Sequence, residues 1–102
     1  MFDPQMMMNF NKMKKDLKDV QDQVYQSTFY GQSGGAVVKV AIKGDKKVLA
    51  VDIDKNKIDV NDFELMGDLV VAAMNDAIKK ADQELQSAIE SVTRGVNIPG
   101  LF

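Results

Sequence analysis

The chain has 102 residues, enough for one domain, with 13 Lys+Arg against 15 Asp+Glu and a formal charge of -2. That balance offers nucleic acid no bulk attraction, so any such contact must come from a local patch. Cys and His are both absent, which excludes disulfides and thiol or imidazole catalysis, and leaves zinc only carboxylate ligands, a poor donor set. No stretch of about 18 apolar residues is long enough to span a membrane. Met1–Met8 contains Asp3 and Pro4 in place of the basic and apolar regions of a signal peptide. A soluble cytoplasmic domain over residues 1–102 is expected.

The first predicted element is a long helix over about residues 4–26. Asp3 is a suitable N-cap and Pro4 suits the first helical position, where no N–H is needed. Met6, Phe10, Met13, Leu17, Val20 and Val24 then recur at alternating steps of four and three, a narrow heptad stripe. A small sheet cannot cover such a stripe, so a partner helix is expected. The period favours a second copy of the chain over packing within one chain.

Chain character changes at Ser27. Three short strands are expected over about 27–31, 36–43 and 47–53, joined by a Gly31–Gly35 turn and a tight Gly44-Asp45 turn in which Gly44 supplies positive φ. In the middle strand Val38, Val40 and Ile42 alternate against Lys39, Ala41 and Lys43, the pattern of a half-buried strand. The third alternates Val48, Ala50 and Asp52 against Leu49, Val51 and Ile53. The connection that follows is polar, with Ile58 and Val60 expected to pin it to the core.

A second long helix is expected over about 62–94. Asn61 with Glu64 has the spacing of a capping box, and Asp62 is an equally good cap. Its first half, Leu65 to Ile78, is broadly apolar and suits a sheet. From Ile78 through Ala81, Leu85, Ala88 and Val92 the apolar positions narrow to a seam that suits another helix. Gly67 is placed to permit a close backbone approach. Gly95 stops the helix, and the apolar tail over residues 96–102 is expected to dock on the domain or on a neighbour. The order is α-β-β-β-α, an α+β fold with a three-stranded antiparallel sheet.

No catalytic constellation is present, and no cofactor, metal or small-molecule substrate is expected. Gly31–Gly35 leads into a strand rather than into a Lys-Ser/Thr helix start, so it is a turn and not a phosphate cradle. Asp52, Asp54, Asp59 and Asp62 lack the spacing of a calcium loop and read as turn and cap residues. Asn75 and Asp76 interrupt the most apolar part of the second helix. Asn75 sets the geometry of an interface, ties a strand end or faces water, while Asp76 is assigned to solvent. The cations are grouped: Lys12, Lys14, Lys15 and Lys18 on the first helix, Lys79 and Lys80 in the middle of the second, and Arg94 at its end. Asp16, Asp19 and Asp22 stand four residues after Lys12, Lys15 and Lys18, forming pairs that would partly cancel the cationic field.

The order of elements and several strings together resemble the YbaB/EbfC family of small bacterial nucleoid-associated DNA-binding proteins. The strings are Gly31-Gln32-Ser33-Gly34-Gly35-Ala36-Val37-Val38-Lys39-Val40, then Gly44, Val51-Asp52-Ile53-Asp54 and Leu69-Val70-Val71-Ala72-Ala73-Met74-Asn75-Asp76-Ala77. Thr93, Gly95, Pro99 and Gly100-Leu101 complete the match. The chain departs from the family at Gly67, where an acidic residue is usual, and at Arg94, where a glycine is common. The resemblance implies an intertwined homodimer whose first helices project like tweezers, without enzymatic activity. Such a dimer binds double-stranded DNA with limited sequence preference at the nucleoid and affects its organisation or gene expression. By the resemblance the DNA contacts lie on the two helices, which makes Lys12, Lys14, Lys15, Lys18, Lys79, Lys80 and Arg94 the candidates. Phe10, Met13, Leu17, Leu69, Val70, Ala73, Asn75 and Ala77 are the dimer-interface candidates. The rival reading is a dimeric protein-interaction module that uses Met6, Met7, Met8 and Met13 as an adaptable apolar surface.

Overall fold

The computed structural model describes residues 4–94; Asp3 and the tail over 95–102 lie outside the described residues. Helix α1 (Pro4–Gln26) is followed by strands β1 (Thr28–Ser33), β2 (Val38–Lys43) and β3 (Val48–Ile53), and then by helix α2 (Phe63–Thr93). The strands form an antiparallel meander in the order β1-β2-β3. The α+β, α-β-β-β-α order is as expected. Asp62, not Asn61, caps α2, its carboxylate accepting from Leu65 N–H at 3.0 Å.

Helix α2 lies across one face of β1 and β2 with its first half and against α1 with its second. The core is Val38, Val40 and Ile42 from the sheet and Ala73, Ala77 and Ala81 from the helix, all 1% exposed or less. Alanine on this face lets the helix axis sit close to the sheet, and Gly31 takes that approach to its limit. A Cβ on Gly31 would stand 2.1 Å from the Ala73 carbonyl oxygen and 2.5 Å from the Ala77 nitrogen. Two polar contacts fasten the same strand: Asp76 accepts from Gln32 N–H at 3.0 Å, and Ser33 Oγ donates to the Leu69 carbonyl at 2.5 Å.

Several expectations are corrected by this packing. Gly31, Gln32 and Ser33 belong to β1 rather than to a turn, because the strand continues along α2 for as long as the helix can receive it. The turn falls at Gly34-Gly35-Ala36, all three with positive φ. In the second hairpin the positive φ belongs to Lys46, at 75°. Gly44 serves another purpose, since a Cβ there would lie 1.9 Å from the Val24 carbonyl oxygen at the end of α1. Strict alternation in β3 is broken by an irregularity that sets Val48 opposite Ile42, putting Val48, Val51 and Ile53 on the core side and Ala50 and Asp52 on the other. A Cβ on Gly67 would meet nothing within 4 Å, so no close approach explains this glycine among the described residues. Ile58 packs against the core, whereas Val60 is exposed.

From Met13 to Val24 the heptad stripe of α1 meets the chain's own α2, while Met6 and Phe10 of the same stripe are exposed. Met13 and Val24 are buried, and Leu17 and Val20 are half-buried along the same line. The 3.5-residue period correctly calls for a helix, but it carries no information on which chain supplies it. α2 covers only part of α1: Pro4 to Lys12 are all exposed, and burial begins at Met13. The molecule is accordingly elongated, 67 × 21 × 16 Å, with a radius of gyration of 19.5 Å against roughly 13 Å for a compact chain of this length.

Candidate nucleic-acid interface

Helix α1 carries four lysines against three aspartates, a net +1, while α2 carries two lysines against six acidic residues, a net -4. The better cationic surface is therefore on α1. At about 100° per residue, Lys15 stands opposite the buried stripe, with Lys12 and Lys18 about 120° from the stripe on either side. Lys12, Lys15 and Lys18 donate to Asp16, Asp19 and Asp22, each at 2.8 Å, with lysine side chains 74–76% exposed. The aspartate hydrogen bonds, reinforced by the nearby negative charge, hold Lys15 and Lys18 above the usual lysine range. Pairs this exposed contribute little to stability and are screened by salt, so a phosphate can displace the carboxylate. Lys14 has no such partner among the described residues. Its ammonium lies 5.7 Å from the centre of the Phe10 ring, a cation–π contact on the projecting part of the helix.

The other candidate cations are less well placed. Lys80 is occupied twice, donating to the Tyr30 carbonyl at 3.0 Å and pairing with Asp76 at 3.3 Å, so it serves the β1–α2 junction. Lys79 is exposed on an acidic helix, and Arg94 is exposed at the C-cap of α2. Thus α1 carries Lys12, Lys14, Lys15 and Lys18, all exposed, within two turns, whereas no ion pair or hydrogen bond among the described residues joins Lys79, Lys80 or Arg94 to that stretch.

Asp76 has a role that sequence reasoning missed. The Gln32 N–H, and secondly the Lys80 ammonium, hold its carboxyl below the ordinary carboxylate range. It is Asp76, not Asn75, that ties a strand; Asn75 is exposed. The only hint in the sequence was an acid four residues ahead of a lysine inside an apolar run.

The dimer-interface candidates divide in the same way. Met13, Ala73 and Ala77 are buried within the protomer, so their side chains are already packed by their own chain. Leu17, Leu69 and Val70 are half-buried, and Phe10 and Asn75 are exposed. Sequence reasoning did not single out the open apolar surface of β3, where Val48, Leu49 and Val51 are 46%, 49% and 43% exposed. Phe63, Leu65 and Val71 on the first part of α2 are also exposed. An open groove of about 330 Å³ between α1 and α2 is lined by Val20, Val24 and Ala88 with Gln23, three serines and Glu84. Its one charged side chain is acidic, which does not suit a phosphate. No helix among the described residues is long and apolar enough to cross a membrane.

Residues 2–96 match the model of the YbaB/EbfC DNA-binding family. A nucleoid-associated protein of Caldanaerobacter subterraneus subsp. tengcongensis is 37% identical over 91 residues, covering 89% of this chain and 82% of the relative. One from Exiguobacterium sp. is 40% identical over 99 residues, covering 90% and 94%. Among solved structures, an uncharacterized protein of Helicobacter pylori superposes with a TM-score of 0.68 at 23% identity, covering 85% of this chain and 91% of that one, a likeness of fold.

Proposed function

Since the chain belongs to the YbaB/EbfC DNA-binding family, we propose that it is a non-enzymatic protein of the nucleoid that binds double-stranded DNA as a homodimer, through α1. The observation that carries this reading is the placement of Lys12, Lys14, Lys15 and Lys18 on the exposed side of a helix whose far end projects beyond its support. Lysines on a solvated helix face contact phosphates rather than base edges, which accounts for limited sequence preference and for an effect on DNA organisation or gene expression spread over many sites.

A second copy makes up for the modest charge. One α1 has a net +1, and two of them joined in one body engage the duplex with the effective concentration of a tethered pair. The surface suited to that joining is β3, an edge strand with free backbone groups and exposed Val48, Leu49 and Val51, adjoining an apolar end of α2. Leu69, Val70, Asn75 and Phe10 remain secondary candidates for the interface.

Fluorescence anisotropy of a labelled duplex against salt tests the reading. Binding should weaken steeply as salt rises, with a log–log slope of about -0.9 per phosphate neutralised. The combined Lys14→Glu, Lys15→Glu and Lys18→Glu variant should lose duplex binding. Asp19→Asn with Asp22→Asn should tighten it, by releasing Lys15 and Lys18 from their intrahelical partners. No binding at low salt would remove the DNA reading and leave the interaction module built on the exposed Met7 and Met8. Sedimentation at micromolar concentration should give a dimer, and a Val51→Lys variant a monomer.

A further inference from the structure

Among the described residues no helix packs across the face of the sheet turned away from α2, and its arrangement is not that of an ordinary solvated face. The register places Tyr30 opposite Ala41 and Ala41 opposite Ala50, so the middle of the face is an apolar row across all three strands. Tyr30 is 66% exposed at one end of that row. The two alanines are poor strand formers and leave a low shelf beside the ring, about 10 Å wide at the usual strand spacing.

Polar rows lie about 7 Å to either side, two residues along each strand. One row is Gln32, Lys39 and Asp52. The other is Thr28 and Lys43, with Lys47 brought opposite by the hydrogen bond from Lys43 N–H to its carbonyl at 2.8 Å. The face thus carries three lysines and one aspartate, a net +2. Among the described residues, Lys39 stands across from Asp52 without forming an ion pair and Lys47 has no ion pair either, so two of the ammonium groups are available. Lys43 donates to Gln26 Oε1 at 2.8 Å, a neutral partner that leaves its charge uncompensated.

The geometry points to this outer sheet face as a binding platform for single-stranded nucleic acid: an unpaired base stacks on Tyr30 over the Ala41/Ala50 shelf, and the flanking phosphates are met by Lys39, Lys43 and Lys47. An aromatic ring on a flat apolar floor between cationic rows is the chemistry that single strands require, because every base has a π-face and every linkage a negative charge. A duplex does not fit the same site, since its bases are stacked on one another and closed to the ring. The platform lies on a different element from the α1 lysines. It is also compatible with pairing of two copies at β3, which uses the strand's edge and leaves this face open.

Tyr25 and Tyr30 are the only tyrosines and there is no Trp, so a Tyr25→Phe variant makes Tyr30 the sole strong reporter. Titration of that full-length variant with a short oligothymidylate at low salt should quench Tyr30 emission. Tyr30→Ala should weaken single-strand binding roughly tenfold, and Tyr30→Phe should retain it. Lys39→Gln with Lys47→Gln should lower both affinity and salt dependence. The α1 variant with Lys14, Lys15 and Lys18 reversed to Glu should lose the duplex and keep the single strand, so failure of the platform and failure of the α1 reading are told apart. Oligouridylate in a parallel titration tells whether the strand taken is DNA or RNA. An unquenched Tyr30, or a Tyr30→Ala variant that binds oligothymidylate as the wild type does, overturns the proposal. So does loss of single-strand binding in the α1 variant alone.

Discussion

β1 and β3 flank the same central strand, yet composition and burial run in opposite directions along them. β1 reads Thr-Phe-Tyr-Gly-Gln-Ser and is the strand that α2 grips, with Gly31 buried and Phe29 and Ser33 half-buried. β3 reads Val-Leu-Ala-Val-Asp-Ile and is exposed from Val48 to Asp52. What decides burial here is the path of α2, which crosses β1 and β2 and leaves β3 beyond its reach. A helix about 10 Å across covers two strands spaced about 4.8 Å apart and not three. β1 is held to α2 by a missing side chain and three hydrogen bonds, with Phe29 as its apolar contact to the core.

The largest expected effect breaks β1 at its closest approach. Gly31→Val should destabilise the protomer by roughly 3 kcal/mol, because a Cβ would have to displace the backbone of Ala73 and Ala77; urea unfolding measures the loss. Next, equivalent truncations on the two outer regions should differ. Ile42→Ala, in the strand α2 covers, should cost about 2–5 kcal/mol, whereas Val51→Ala should cost under about 1 kcal/mol in the dissociated protomer. Equal losses in monomeric protein would mean that β3 is as well covered as β2.

The smallest effect concerns the β1 tether. Asp76 has a lowered pKa in the folded state, so its contribution is present above the ordinary carboxylate pKa of about 4 and is lost as pH falls below that toward the folded value. Asp76→Asn keeps an acceptor for Gln32 N–H but cannot titrate. The variant should show a shallower loss of stability on acidification, read from melting temperatures at a series of pH values. A parallel course in wild type and variant would show that the tether does not depend on charge.

Those contrasts also mark how far the chain could be read before its fold was in view. The two helices and the order of the strands were legible because they rest on local periodicity: the four-three steps of α1, the alternation of Val38, Val40 and Ile42, and the change of pattern at Ile78 in α2. The lysines of α1 were legible as a group for the same reason. What could not be read locally was which surface meets which. The stripe through Met13 and Val24 asks for a helix without naming its chain, and Val48 to Ile53 looks like core until α2 is seen to pass it by. Nor does anything in the order of residues show that Leu49 shifts the register of β3 or that Asp76 will find Gln32, 44 positions earlier in the chain.

The contact at Gly44 gives α1 the mechanics of a cantilever. Its last turn is clamped where Gly44 lies against the Val24 carbonyl and Gly44 N–H donates to the Ser27 carbonyl at 2.9 Å, while the stretch before Met13 has no support from α2. The exposed stretch Pro4 to Lys12 is about 14 Å long, so a bend of about 10° where the support of α2 ends carries its tip roughly 2 Å. Such a beam can bend at its free end without any change in the body that holds it. The residue that anchors its root is a glycine with no charge, at the opposite end of the helix from the stretch that is free to bend.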